Sequence, residues 1–449
     1  MEVKNVVTSF IQFEDRILIL KRSDKVRLHQ SRWAGVSGYL EKNEDPLKRA
    51  LKEIEEEIGL LGETIELQRI SEPIGIPEPE IDTFWIVYPH LFKTSSNEVK
   101  LNWENTEYRW IDPIKIWNYA TVPALNEVLQ MVFPTPIENI IQEQKIVDRI
   151  TKIRDDNSST ASQLAKESVI TFQEAVEAFE TRILDEYMCL MKTLALSIMN
   201  LRPSIAPIRN QIGHLIFQMV NSAMNNLNLE ELKLFFAKET SSLLEEADKL
   251  NEHIAENVFK IIPEKAVILT HSYSATVLES LKYASDKGKK IQIIASESRP
   301  LFEGRTTAKE LTEYGISTTI VTDAAAPHFA GNVNLVLIGA DSLLADGSVV
   351  NKVGTYPIAL SASYQGIPVY VAADLNKINL KSYFSRVLLE EKDQSEIWPS
   401  SPSNIGIRNL YFDITPKALI TLILTETQKL RADELLRVCE VLVKNRYII

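Results

Sequence analysis

The rhythm of apolar and polar positions changes twice along the chain. Over residues 1–133 the apolar positions fall in short β-like runs: VVTSFIQF, RILILKR, DTFWIVYPHLF and EYRWI. One clear helical period lies among them, at about 45–58. The stretch FPTPIENI, with Pro134 and Pro136, predicts a break. Residues 137–262 then read as helical. Thr171-Phe172-Gln173-Glu174 has the spacing of a capping box that opens a helix. LRPSIAPIRNQIG, at 201–213, interrupts the pattern, because Pro203 and Pro207 suit a helix start or a turn. From 263 onward the runs AVILT, IQIIA, STTIV, NLVLIG and PVYVAA alternate with helical stretches such as SATVLESLKYASDKG. Uniformly apolar strands alternating with helices predict a buried parallel sheet, doubly wound. The expected division is therefore 1–133, 134–262 and 263–449.

Composition narrows the classes. A chain of 449 residues is too long for one ordinary domain. Its 45% hydrophobic and 24% charged residues are those of a soluble globular protein. A net charge of −12 argues against a broad nucleic-acid surface. Cys189 and Cys439 stand far apart without metal-site spacing, which fits a reducing cytoplasm. The opening MEVKNVVTSFIQF reads as a strand and not a signal. No apolar run is long enough to predict a membrane span.

The helix at 45–58 carries the first chemistry. Placed on a wheel, Leu47, Ala50, Leu51, Ile54 and Ile58 form an apolar face. Glu53, Glu56 and Glu57 share one edge, and Glu55 lies on the far flank. Three hard oxygen donors on one edge suit Mg²⁺, and Mn²⁺ is the alternative. A bound cation would offset their repulsion and activate water against a phosphoanhydride. The spacing of Gly38, Glu44, Lys52-Glu53-Ile54, Glu56-Glu57 and Gly59-Leu60 resembles the Nudix box, with lysine where that family has arginine. The resemblance implies an α/β/α sandwich over about 1–133. It makes Glu53, Glu56 and Glu57 metal ligands, lets the backbone at Gly38 approach the metal, and pairs Glu44 with Lys52. Lysine lacks the fork of arginine, so that pair is less well oriented. Glu41 and Glu104 are further candidates for ligand or base. Trp33, Trp85 and Tyr88 are candidates to stack on the substrate, although aromatic residues on strands more often belong to the core.

The carboxyl half places polar loops after its apolar strands: THSYSA, SESRP, DAAAPH, GADSLLADG and VNKVGTY. In such sheets ligands bind beyond the carboxyl ends of the strands. Arg299 and Lys352 are candidates to hold phosphate, Asn351 to meet sugar hydroxyls, and Asp341 to act as acid or base. His271 and His328 lie near these loops. The order of the loops resembles the initiation factor 2B α/β/δ family, whose superfamily includes methylthioribose-1-phosphate and ribose-1,5-bisphosphate isomerases. That resemblance covers about 140–449. It implies a helical subdomain, a Rossmann-like sheet and a dimer formed through this half. The isomerases place a catalytic cysteine where this chain has Ser272, and a Gly-Ala turn where it has Asn157-Ser158-Ser159-Thr160-Ala161. A serine hydroxyl does not ionise like a thiol.

The leading expectation is a Mg²⁺-dependent Nudix pyrophosphohydrolase acting on a nucleoside diphosphate derivative. It is fused to a domain that binds a phosphorylated sugar or nucleotide through Ser272, Arg299, Asn351 and Lys352. One alternative is a regulatory protein of translation initiation with a non-catalytic Nudix module. Another is an isomerase of the ribose-1,5-bisphosphate type.

Overall fold

The structure is a computed structural model of the whole chain. It describes every residue except 1, 157–158, 203–204, 225–226, 384–386, 388, 390, 403 and 446–449. Asn157, Ser158 and Pro203, singled out above, therefore lie outside the described residues.

The amino-terminal part is built from β1 (Glu2–Phe13), β2 (Arg16–Arg22), β3 (Trp33–Ala34), β4 (Val36–Tyr39), α1 (Pro46–Ile58), β5 (Ile65–Ile70), β6 (Ile74–Glu78), β7 (Thr83–Thr94), β8 (Asn105–Ile111) and α2 (Leu125–Val132). β1 lies between β2 and a parallel β7, and β4 also pairs with β1. Period-two alternation sorts the side chains to two faces. Val7, Ile11, Leu18 and Leu20 pack with Ala50, Ile54 and Ile58 of α1. Phe10, Ile17 and Ile19 pack with Leu125, Val128 and Leu129 of α2 on the other face. The result is a sheet between two helices. α2 carries no capping signal strong enough to have been predicted. Leu51, expected on the apolar face of α1, is exposed.

Helices follow: α3 (Ile137–Ile140), α4 (Gln144–Asp155), α5 (Ala161–Glu177), α6 (Leu184–Met199), α7 (Ala206–Met224) and α8 (Leu229–Phe259). The capping box is not at Thr171. It is at Thr160, whose Oγ1 accepts from Gln163 N at 3.2 Å while Gln163 Oε1 accepts from Thr160 N at 2.9 Å. Thr171 lies in the middle of α5 on its buried face, where packing and not capping placed it.

The last part contains β9 (Lys265–Thr270), α9 (Ala275–Asp286), β10 (Lys290–Ser296), α10 (Glu303–Glu313), β11 (Ser317–Val321), α11 (Ala326–Phe329), β12 (Leu335–Ile338), β13 (Ser342–Leu344), β14 (Val349–Lys352), α12 (Thr355–Tyr364), β15 (Val369–Ala372), β16 (Ile378–Asn379), β17 (Phe412–Thr415), β18 (Leu422–Leu424), β19 (Lys429–Leu430) and α13 (Leu435–Asn445). The main sheet runs β11-β10-β9-β12-β15-β18-β19, parallel up to the antiparallel edge strand β19. The order reverses between β9 and β12. A crevice forms beyond the strand ends at such a reversal. A small second sheet, β16-β13-β14-β17, stands beside it.

Candidate functional site

The first site lies at the seam of α1 and β4. Asp45 caps α1, accepting from Leu47 N and Lys48 N, and Gly59 ends it at φ +70°. The helix is thus fixed at both ends against the strand that bears Gly38. A Cβ at Gly38 would stand 1.9 Å from Glu53 Oε1, so only glycine lets that carboxylate lie against the backbone. Gly38, Glu53, Glu56 and Glu104 line one cavity of about 260 Å³. Ile76, Trp85, Val87, Leu125 and Val128 add apolar lining to the same cavity, with Tyr39 and His29 also on its wall. Glu78 holds that wall: one carboxylate oxygen accepts from Trp85 Nε1 at 2.8 Å and the other meets His29 Nε2 at 2.7 Å. Of the three candidate aromatic residues, Trp85 lines the cavity. Trp33 is buried against Tyr119, and the Tyr88 hydroxyl points to Asn5.

The carboxylates differ in setting. Glu57 is buried behind the cavity, where Oε1 accepts from Ser37 N at 2.9 Å and Oε2 from Asn105 Nδ2 at 2.7 Å. Burial pushes its carboxyl up to about 8, against the pull of both hydrogen bonds. Burial also raises Glu53, and Arg49 opposes it. Arg49 grips Glu53 through Nη2, and its Nη1 is 3.9 Å from Glu44 Oε1. The expected pairing of Glu44 with Lys52 is therefore not found. Lys52 and Glu56 form an exposed pair one turn apart, at 3.7 Å. Lys52 projects from the solvent side of α1, whereas Arg49 is one turn earlier on the side that faces Glu44. Glu41 is exposed, and its N–H donates to Glu44 Oε2 at 2.9 Å. Among the described residues no three His, Cys, Asp or Glu side chains are gathered tightly enough to hold a metal ion. The donor chemistry still suits a hard cation, because three carboxylates and the Gly38 cradle share one cavity. Arg49 occupies the charge that a cation would take at Glu53.

The second site lies at the crevice between β9 and β12. After β9 the backbone enters the left-handed region at Ser272 (φ +66°). Ser298 Oγ accepts from Ser272 N at 2.8 Å, and Thr307 Oγ1 donates to Ser272 O at 2.8 Å. Ser274 then caps α9. After β12, Ala340 and Asp341 form the opposite wall. Asn351 and Lys352 enter from β14, Phe412 from the start of β17, and Lys377 and Tyr411 from the segments around the second sheet. The helical part closes the pocket with Asp156, Ser159–Ser162, Arg202 and Ile205. The enclosed space is narrow, about 60 Å³.

Ser272, Asp341, Asn351 and Lys352 thus meet in one pocket. Arg299 does not reach it. Its N–H donates to Asp323 Oδ2 at 2.7 Å, and its guanidinium lies over Phe302 and donates to Ile397 O at 3.2 Å. The basic groups that do reach the pocket are Arg202, Lys352 and Lys377. Arg202 donates to Asp156 O. It belongs to LRPSIAP, so its motif was visible although its role was not. Burial raises Asp341, opposed by Lys377, Lys352 and Arg202. Asn351 Nδ2 donates to Thr355 Oγ1 at 3.0 Å. His271 is buried beside the pocket: Nε2 donates to Val353 O at 3.0 Å, Nδ1 faces Ser296 Oγ, and burial holds its pKa down. His328 is exposed, outside the pocket. The amino ends of α5 and α9 both open on the pocket, which favours anions.

Fold and sites define a chain of two classes of module: a Nudix sandwich, then a helical part with a Rossmann-like sheet. The NUDIX domain model matches residues 3–131, and that of the Initiation factor 2 subunit family matches 157–429. The chain belongs to the initiation factor 2 subunit family and carries a NUDIX domain ahead of the family's own region. The ribose 1,5-bisphosphate isomerase of Archaeoglobus fulgidus is 30% identical over 286 residues, which are 63% of this chain and 88% of that protein. A Pyrococcus furiosus protein named putative translation initiation factor eIF-2B subunit 2-like is 34% identical over 283 residues, 63% of this chain and 95% of that one. The crystal structure of translation initiation factor eIF-2B from Pyrococcus horikoshii has a TM-score of 0.56 at 28% identity, covering 64% of this chain and 98% of that one.

Proposed function

We propose that the amino-terminal part is a Mg²⁺-dependent pyrophosphohydrolase of a nucleoside diphosphate derivative, and that the carboxyl-terminal pocket binds a phosphorylated sugar or nucleotide. On this reading the modules divide near residues 133 and 262. The observation that carries it is one cavity lined both by the carboxylates Glu53, Glu56 and Glu104 and by apolar side chains. A bound cation, held by Glu53, Glu56 and Glu104, would polarise the phosphoanhydride and activate water. Arg49 balances the carboxylates in its absence, and Trp85 and Tyr39 offer a surface for the non-phosphate end of the substrate. In the second pocket Arg202, Lys352, Lys377 and the two helix ends hold phosphate, while Asn351 and Ser272 meet hydroxyls.

Release of nucleoside monophosphate from a panel of nucleoside diphosphate derivatives, with and without Mg²⁺, tests the hydrolase. Calorimetry with ribose phosphates and nucleoside monophosphates tests the pocket, and absence of binding removes that half of the reading. Isomerisation is the second reading of the pocket, favoured by Asp341 at its wall and by the likeness to the isomerase of Archaeoglobus fulgidus. Assembly as a dimer through the carboxyl half is part of the proposal. Tyr356, Leu360 and Tyr364 support it, as an exposed stripe four residues apart on α12.

A further inference from the structure

The loop SRPLFEG after β10 brings an acidic group into the pocket that the polar-loop pattern did not single out. Phe302 takes a left-handed conformation (φ +60°) and α10 begins at Glu303. A Cβ on Gly304 would stand 1.7 Å from Ser296 O, so the missing side chain lets the start of α10 press down on the end of β10. That contact fixes Glu303 in place. Its side chain is largely buried and lines the same pocket as Ser272, Asp341 and Asn351. Oε1 is 2.6 Å from Lys352 Nζ. Oε2 is buried and has no hydrogen-bond partner among the described residues. A buried carboxylate oxygen left unpaired is costly, so the pocket holds a position that waits for a donor.

We propose that Glu303 is a catalytic residue of this pocket, the base of a sugar-phosphate isomerisation in which Asp341 is the acid. The inference rests on reading the pocket as a sugar-phosphate site. Its substrate class is a pentose with phosphate on the anomeric carbon. Asp341 gives a proton to the ring oxygen as the bond from that oxygen to C1 breaks. Glu303 takes the proton from C2, and the C2–H electron pair forms the C1=C2 bond. Asp341, now a carboxylate, takes the hydroxyl proton of the resulting enol as the carbonyl forms at C2, and the proton held by Glu303 passes to C1. Bonds and protons balance with no oxidant or reductant. The two carboxyl groups have different settings, as acid and base require. Burial raises Asp341, whereas Lys352 holds one oxygen of Glu303 and the other has no partner among the described residues. Ser272 is then a hydrogen-bonding neighbour and need not ionise.

The test uses the full chain and ribose 1,5-bisphosphate as the probe, with calorimetry for binding and NMR for conversion to the ketose. The wild type is expected to bind and convert it. Glu303→Gln is expected to bind within about threefold and to lose about 10²- to 10⁴-fold in kcat, with KM little changed. Glu303→Asp, which keeps the carboxylate, recovers part of the loss. A purely structural role for the Lys352 pair would instead weaken binding and leave Glu303→Asp as poor as Glu303→Gln, which overturns the proposal. Binding without conversion by the wild type overturns it too, but leaves the sugar-phosphate reading standing. Absence of binding overturns both.

Discussion

At the scale of single residues, the acidic run EIEEE resolves into unlike groups. Glu55 and Glu56 are exposed, whereas Glu53 and Glu57 are buried. Glu57 is 3% exposed with its carboxyl pushed up to about 8, above its unfolded value near 4.5. A raised folded value means that the folded state binds the proton more tightly. The stabilisation is then complete below about pH 4.5 and is lost as the pH rises through about 8. Without metal, thermal stability should fall between pH 5 and 8, by at most about 1.4 kcal/mol per pH unit from this group. Glu57→Gln should flatten that slope, measured by thermal denaturation in chelator; an unchanged slope would remove Glu57 as its source. Gly38→Ala should weaken binding of Mn²⁺ by at least about tenfold, because the new methyl would displace the Glu53 carboxylate from its cradle. Calorimetric titration of Mn²⁺ measures it.

At the scale of elements, capping links stability to the second site. Thr160→Ala should cost about 1 kcal/mol of stability and also weaken ribose phosphate binding, since α5 begins at the pocket. Denaturant melts and calorimetry read the two effects separately. Elements were legible where one signal ruled. α1 was readable from its apolar period, and β9, β10 and β12 from continuous apolar runs. The crevice was readable because Ser272 and Asp341 follow strands. Thr171 misled because a local capping pattern says nothing about burial, and tertiary packing put it inside α5. Arg49 was missed because it stands between the positions that the box specifies, and only the turn of α1 brings it beneath Glu44 and Glu53. Arg299 was placed wrongly because Asp323 and Phe302 turn it away, a long-range effect. Lys377 was missed because the segment DLNK after the run PVYVAA was not among the polar loops singled out.

At the scale of the whole molecule, the amino-terminal part is seated on the helical part. Trp117 Nε1 donates to Thr193 Oγ1 at 2.9 Å, Cys189 lies 3.0 Å from Asn118 Oδ1, and Arg209 lies 3.6 Å from Glu127 of α2. Both cysteines are free and buried. No helix among the described residues is long and apolar enough to cross a membrane. The exposed stripe on α12 predicts the assembly: Leu360→Lys with Tyr364→Lys should yield a monomer by sedimentation without loss of helical content, whereas an unchanged dimer would place the interface elsewhere. The central claim is that the carboxylate cavity cuts a phosphoanhydride. Its most direct test is the initial rate of nucleoside monophosphate release as Mg²⁺ is raised, for wild type and Glu56→Gln on the same substrate. The account predicts Mg²⁺-dependent turnover that falls by at least about 100-fold in the variant; equal rates in the two proteins across the panel would contradict it.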